Sequence, residues 1–291
     1  MRIAVVALGK IGLPLAVQYA DKGHEVIGVD VAPAVVEAVN AGAEPFPGEA
    51  RMTEKLAALS PATGNGALRA TTEYAEAIPG ADAVVLVVPL FVDDATWEPD
   101  FAWMDDATRS LAAHLTPNTL ISYETTLPVG TLRGRFKPMI EEISGLKEGT
   151  DFHLVFSPER VLTGRVFADL RRYPKLVGGL DEAGTQAGIA FYETVFGWRT
   201  RPEASGGEGF PYRVNDSGSG GLCGIGELSS LAGDGRASAW RVYFRVEDLN
   251  DAAARVPELG GRVLSGPQDS PYGRMLEVAD PDGARFMILE M

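Results

Sequence analysis

The stretch Arg2-Ile3-Ala4-Val5-Val6-Ala7-Leu8-Gly9-Lys10-Ile11-Gly12-Leu13-Pro14 decides the fold. A continuous apolar run ends at Leu8, glycines follow at 9 and 12, and helical periodicity then holds over residues 13–22. Strand, glycine turn and helix in that order form the fingerprint of a dinucleotide-binding βαβ unit. Gly9 lets the backbone approach a pyrophosphate, and Gly12 permits close packing of helix on strand. The turn at Lys10 and Ile11 opens the helix N-terminus, whose N–H groups and partial positive charge suit phosphate oxygens. Ala7 stands where the usual pattern has its first glycine. Asp30 makes good that departure. It ends the next predicted strand, residues 25–30, 21 positions after Gly9, where a carboxylate accepts hydrogen bonds from an adenosine ribose. Its charge repels a 2′-phosphate, so NAD is the expected cofactor rather than NADP.

Outward from this unit, strand-like and helical patterns alternate. Helices are expected over 35–40, 54–59, 133–143 and 182–196, and strands over 83–88, 119–123, 153–157 and 175–178. The alternation specifies an α/β fold, a Rossmann-type doubly wound parallel sheet. After Trp198 the texture changes: ten glycines fall between Ala204 and Gly235. Short strands are expected at 210–214 and 222–226. A strand over 240–246, a helix over 249–259 and strands over 262–264, 274–278 and 285–290 follow, the last two joined at Asp280-Pro281-Asp282-Gly283. This is a βαβββ unit, so a smaller α+β domain over 198–291 is expected to follow the Rossmann domain over 1–197.

The bulk numbers exclude several function classes. The 291 residues suffice for two domains, and 45% hydrophobic and 23% charged residues with near-zero mean hydropathy are ordinary for a soluble globular chain. No apolar run approaches the ~18–20 residues of a membrane helix, and the opening strand is too short for a signal-peptide core. A formal charge of −14 argues against nucleic acid as a partner. The single cysteine, Cys223, rules out an internal disulfide and suits a reducing, cytoplasmic setting. A small-molecule partner is expected; a homo-oligomer stays open.

Further motifs carry a resemblance. Ala7-Leu8-Gly9-Lys10-Ile11-Gly12-Leu13-Pro14, Val87-Val88-Pro89, Glu124-Thr125-Thr126-Leu127-Pro128-Val129-Gly130 and Ser157-Pro158-Glu159-Arg160-Val161-Leu162-Thr163-Gly164 stand in order across nearly 200 residues. Over 1–196 the chain resembles the UDP-glucose/GDP-mannose dehydrogenase family, and Glu159-Arg160-Val161-Leu162 favours its UDP-N-acetylmannosamine dehydrogenase branch. The resemblance implies that Val88 and Pro89 line the cofactor cleft and that Thr126 sits by the nicotinamide and helps hold a catalytic water. It implies that Glu159 is the acid/base, and that Arg160, Leu162 and Gly164 belong to a loop touching a sugar nucleotide. Read without it, Glu159-Arg160 is a surface ion pair of little worth, and Thr126 is a helix-capping residue.

The family oxidises a C6 alcohol to a carboxylate in two hydride transfers, through an aldehyde held by a cysteine. That cysteine, and a lysine and asparagine on a long central helix, belong to a region that this sequence does not match after Phe196. Lys175 is its last lysine. Cys223, within Gly220-Gly221-Leu222-Cys223-Gly224, only faintly echoes the family's nucleophile segment, and a lone cysteine in apolar surroundings is usually inert packing. Impaired turnover is expected.

The remaining residues resemble the vicinal oxygen chelate superfamily, the glyoxalase/bleomycin-resistance-like fold. The matching text is Phe191-Tyr192-Glu193-Thr194-Val195-Phe196-Gly197-Trp198, Val242-Tyr243-Phe244-Arg245-Val246-Glu247-Asp248, Glu258-Leu259-Gly260-Gly261 and Ala279-Asp280-Pro281-Asp282-Gly283. That family pairs two βαβββ modules around a ligand or metal. Here the second module is complete, and the strand and helix at 175–196 are candidates to stand in for the missing start of the first. The overlap suggests a fusion of two genes. No metal is expected: His24, His114 and His153 all precede this segment, and Glu227, Glu277 and Glu290 read as solvated acids at strand ends. A small organic ligand suits the cup, which makes a binding protein on a Rossmann scaffold, or an inactive fusion, the alternatives to a dehydrogenase.

Overall fold

The computed structural model describes residues 1–96, 98–170, 175–202, 212–215, 224–226, 243–270, 273–281 and 285–290. The chain divides into two compact units, Met1–Arg201 with Arg213–Leu228, and Pro202–Tyr212 with Ser229–Met291.

In the first unit β1 (Arg2–Val6), α1 (Gly12–Asp21) and β2 (Glu25–Val29) form the opening βαβ, followed by α2 (Pro33–Asn40), α3 (Met52–Leu59), β3 (Leu68–Thr71), α4 (Tyr74–Ala77) and β4 (Ala83–Leu86). A hairpin of β5 (Phe91–Val92) and β6 (Pro99–Asp100) leads to α5 (Ala102–Ala112), β7 (Thr119–Tyr123), a π-helical turn Leu132–Phe136 running into α6 (Lys137–Ser144), and β8 (Phe152–Phe156). The short α7 (Val166–Asp169), β9 (Gly178–Gly179) and the long α8 (Glu182–Phe196) complete it. The sheet order is β3-β2-β1-β4-β7-β8-β9. Every pairing is parallel except that of β9 with β8. The strand order reverses between β1 and β4, and that is where open α/β sheets present a crevice at their carboxyl edge.

Alternation along β1 explains why this sheet needs helices on both faces. Ile3 and Val5 pack into one apolar cluster with α1, α3 and α8, whereas Ala4 and Val6 pack into the other with α5 and α6. The expected strand at 175–178 is shorter and later than its apolar run suggests, and antiparallel; Lys175 precedes it. Helix α5 and strand β3 carry no expectation from the sequence. The charges of α5 mask an apolar stripe of Met104, Ala107 and Leu111 that faces Phe136 and Ile140. Arg135 secures the pair from outside, forking onto Asp105 at 2.7 and 2.6 Å over the Phe101 ring.

Strands β10 (Thr200–Pro202), β11 (Tyr212–Asn215) and β12 (Gly224–Gly226) form a three-stranded sheet. The second unit contains β13 (Tyr243–Val246), α9 (Leu249–Glu258), β14 (Arg262–Val263), β15 (Gln268–Ser270), β16 (Gly273–Ala279) and β17 (Arg285–Glu290). Its order is β13-β17-β16-β14, with β15 also on β16 and β13 parallel to β17. This is the expected βαβββ path with one extra short strand. Asp248 caps α9, its Oδ1 accepting from the N–H groups of Asn250 and Asp251 at 2.8 and 2.9 Å. Leu249 of α9 packs on Leu276, Val278 and Ile288.

The β1–α1 turn carries local strain. Ala7 adopts φ +73°, a left-handed conformation that costs an L-residue about 1–2 kcal/mol. Ala7→Gly removes that strain at the cost of a floppier unfolded chain, so a net stabilisation of about 0.5–1 kcal/mol is expected in urea unfolding. A destabilised Ala7→Gly protein contradicts the strain.

Candidate functional site

The opening turn fits a dinucleotide. Gly12 starts α1, and a Cβ on it would lie 1.9 Å from the Ala7 carbonyl oxygen; only a bare Cα lets helix and strand approach so closely. A Cβ on Gly9 would meet nothing within 4 Å, so the turn presents open backbone where a pyrophosphate would lie. Asp30 ends β2 beside it. Its Oδ2 accepts from Leu8 N–H at 2.8 Å and its Oδ1 from Ala32 N–H at 2.9 Å. Those bonds fix the carboxylate at the turn, and each oxygen keeps a lone pair for a ribose hydroxyl. Lys10 is exposed and Ile11 half-buried at the helix entrance. A recess of about 280 Å³ opens here, lined by Gly9, Lys10, Pro47, Glu49, Thr163 and Gly164. Gly164, expected on a sugar-nucleotide loop, thus shares a wall with the glycine turn.

The other expected residues gather at the same carboxyl edge in two groups. Val88 is buried and Pro89 exposed just past β4; Thr126 is exposed just past β7. The Thr125 hydroxyl ties these loops together by donating to the Val88 carbonyl at 2.7 Å. The second group follows β8. Glu159 is neither solvated nor paired with its neighbour Arg160 in the way its sequence context alone suggests. Its side chain is 8% exposed and forms an ion pair with Lys175. Arg160 and Glu159 line a recess of about 310 Å³ with Asp169, Lys175, Phe196 and Trp198. Leu162 is exposed, and its N–H donates to the buried Asp169 carboxylate at 3.0 Å. Glu49 shapes the loop from afar: its carboxylate accepts from the N–H groups of Val166 and Phe167 at 3.0 and 3.2 Å, capping α7.

Behind Glu159 lies a buried polar network that sequence reasoning missed. The Lys175 ammonium contacts the Glu124 and Glu159 carboxylates, and Ser157 O at 3.3 Å. Glu124 is 1% exposed, and its carboxylate accepts from the Tyr192 hydroxyl at 2.5 Å. Tyr192 OH also reaches Ser157 Oγ at 3.0 Å, and Glu159 N–H donates to Glu124 O at 2.9 Å. Burial pushes the Lys175 ammonium down from its ordinary pKa, with Glu124 opposing. Burial also pushes the Tyr192 phenol well up, reinforced by the Glu124 charge, so it stays a donor. The available signals were Glu124 directly after a buried strand and an isolated lysine before Leu176-Val177.

In the second unit Glu290 pairs with Arg274 at 3.5 Å and Glu277 with Arg285 at 4.0 Å across the β16–β17 hairpin. Cys223 and Glu227 lie outside the described residues.

Comparisons with known proteins place these features. Residues 1–196 match the model of the UDP-glucose/GDP-mannose dehydrogenase family, NAD binding domain, and residues 179–289 match that of a Glyoxalase-like domain. The UDP-N-acetyl-D-mannosamine dehydrogenase of Pyrococcus horikoshii is 32% identical over 198 residues, which is 67% of this chain and 44% of that protein. The NDP-N-acetyl-D-galactosaminuronic acid dehydrogenase of Ralstonia solanacearum is 33% identical over 202 residues, 66% of this chain and 44% of that one. The solved P. horikoshii enzyme superposes with a TM-score of 0.61 at 30% identity, covering 67% of this chain and 45% of its own. A GDP-mannose dehydrogenase from Pseudomonas aeruginosa gives 0.61 at 26%, covering 68% and 44%. The chain therefore spans less than half the length of the curated relatives it matches. No helix among the described residues is long and apolar enough to cross a membrane. Its NAD binding domain, matched over about two thirds of its length, shows that the chain belongs to the UDP-glucose/GDP-mannose dehydrogenase family.

Proposed function

We propose that this protein binds NAD on the β1–α1 turn and presents Glu159 as the proton acceptor for oxidation of a nucleotide-sugar alcohol, with a UDP-acetamido sugar as the substrate class. The observation that carries this reading is the grouping of the bare turn at Gly9 and Gly12, the oriented Asp30 carboxylate and the Glu159 recess along one sheet edge. The acetamido-sugar class follows from the relatives, which are named for UDP-N-acetyl-D-mannosamine and NDP-N-acetyl-D-galactosaminuronic acid.

Bound NAD supplies the hydride acceptor. The turn at Gly9, Lys10, Ile11 and Gly12 would hold the diphosphate against main-chain N–H groups, and Asp30 would accept from the ribose. Val88, Pro89 and Thr126 would border the nicotinamide, and Thr126 would offer a hydroxyl to a water. Glu159 takes the alcohol proton, and Lys175 fixes its carboxylate in place. Arg160, Leu162 and Gly164 form the loop that meets the sugar nucleotide. The second oxidation, from aldehyde to carboxylate, draws on a thiol in the family, and Cys223 is the sole cysteine to supply one. Oxidation that is slow or stops at the first step is therefore expected. The complete βαβββ path in the second unit supports a further reading, capture of a small organic molecule there.

Calorimetric titration with NAD, followed by UDP-acetamido sugars and an NADH absorbance readout, tests the proposal. NAD is expected to bind at least about tenfold more tightly than NADP, the value of one charged hydrogen bond gained and a phosphate repelled. Asp30→Asn should shrink that preference. Equal affinities for the two cofactors would falsify the assignment of Asp30. NAD binding with no NADH from any UDP-acetamido sugar would leave the small-molecule reading in its place.

Lys175→Met strands two buried carboxylates. Loss of a buried ion-pair partner costs about 3–5 kcal/mol, so this variant should unfold at markedly lower urea or temperature. Lys175→Met/Glu124→Gln, which removes one of the stranded charges, should recover part of the loss. A Lys175→Met protein as stable as the wild type contradicts the network.

A further inference from the structure

Two buried polar atoms without a hydrogen-bond partner among the described residues, Glu148 Oε1 and His153 Nδ1, belong to one cluster at the amino edge of the sheet. The chain reverses just before β8, where Gly149 N–H donates to Phe152 O at 2.9 Å and Glu148 bridges Phe152, so that Glu148 folds back beside His153. Asp181 arrives from the start of α8. Its Oδ1 accepts from Gly184 N–H at 2.7 Å, while Oδ2 points at Gly149, where a Cβ would come within 3.0 Å of it. One possible ligand atom from each of Glu148, His153 and Asp181 lies within 4.8 Å of the other two. The Glu148 side chain is only 3% exposed, and Lys137 stands 3.4 Å from its Oε2, leaving Oε1 as the oxygen without a partner. A buried polar atom without a partner costs about 1–3 kcal/mol, so two such atoms on residues that cluster with a third ligand point to something that belongs between them.

We propose that Glu148, His153 and Asp181 bind a divalent cation of the zinc class. One imidazole nitrogen with two carboxylate oxygens is a zinc donor set, and three protein ligands leave a fourth position for water. Magnesium and calcium favour all-oxygen shells. Metal–ligand bonds of about 2.0–2.2 Å put tetrahedral ligand atoms roughly 3.4 Å apart. The cluster therefore closes by at most about 1.4 Å on binding, through side-chain torsions of Glu148 and Asp181. Lys137, paired to Oε2, acts from behind to orient Oε1 toward the ion, as outer-shell partners of metal ligands do. His153 is the second residue of β8, whereas Ser157 and Glu159 follow the far end of that strand. The ion therefore sits across the sheet from the dinucleotide turn and pins the start of β8 to the start of α8. This site does not depend on the proposed dehydrogenase activity.

The test uses the full chain, stripped with EDTA, dialysed and titrated with zinc chloride by calorimetry and thermal melting. One zinc per chain is expected, with a melting temperature that climbs as free zinc exceeds its dissociation constant. His153→Gln and Asp181→Asn should each weaken zinc at least about tenfold, with unchanged far-UV circular dichroism and unchanged NAD affinity. Cys223→Ser should bind zinc as the wild type does, and cobalt-loaded protein should show visible d–d bands without thiolate charge transfer. The proposal is overturned if folded protein takes up no stoichiometric zinc. It is equally overturned if zinc binding survives His153→Gln or disappears in Cys223→Ser.

Discussion

The carbonyl oxygen of Ala7 against the bare Cα of Gly12 is the contact on which the rest of the first unit depends. A Cβ at position 12 would stand 1.9 Å from that oxygen, well inside any tolerable separation. Because glycine is there, α1 starts directly over the end of β1, and its N-terminus faces the crevice at the reversal of strand order. Ala7 itself meets the turn by adopting a positive φ. In the usual motif a glycine carries that conformation at no steric cost. Here the strain is retained, and Ala7 N–H still donates to Val29 O at 2.8 Å, which keeps β2 and therefore Asp30 in register with the turn.

A second constraint acts at the other end of the crevice. Two carboxylates, from just after β7 and from the loop after β8, share one buried ammonium, so the cluster holds a formal excess of negative charge in a poorly solvated place. Such an arrangement persists only when its buried charges are paired and held by hydrogen bonds. Tyr192 and Ser122 satisfy Glu124, and Ser157 O shares Lys175. The network costs desolvation and returns position: Glu159, on an irregular loop, is held by a side chain from beside β9 and by the Glu124 carbonyl just after β7. A loop carboxylate becomes a fixed group in the wall of the recess.

The sequence was legible where local chemistry and tertiary structure agree. Strand β7 and helix α8 match their expected spans, because a run of five residues with a β-branched and aromatic bias and an Asp181 cap specify them without help from distant contacts. The turn at Gly9 to Gly12 and the place of Asp30 were legible for the same reason. Helix α5 was not, because its charges mask the apolar stripe, and the residues that cover that stripe, Phe136 and Ile140, lie far away in sequence. The Glu159–Lys175 pair was hidden likewise. Nothing within 15 residues of Glu159 announces Lys175, so the pair exists only once β8 and β9 lie side by side. Local spacing reveals turns and caps, whereas buried ion pairs are written in topology.

The same distinction resolves the double match at residues 179–196, which both family models claim. A short glycine-containing strand followed by an amphipathic helix is weakly specific text, and α8 fits either architecture by pattern alone. Packing is more selective. Ile189, Phe191, Tyr192 and Val195 of α8 all belong to the apolar cluster built on β1 and α1, and Gly188 lies so close to Val177 that a Cβ would come within 2.7 Å of its side chain. The Tyr192 hydroxyl is bound into the Glu124 network. Removing α8 from that core would expose four large side chains and leave a buried carboxylate without its donor, a loss far above what a single helix gains by pairing elsewhere. Residues 182–196 are therefore structurally part of the dinucleotide-binding unit. The Glyoxalase-like model covers them as well, and among the described residues the complete βαβββ path runs from β13 to β17.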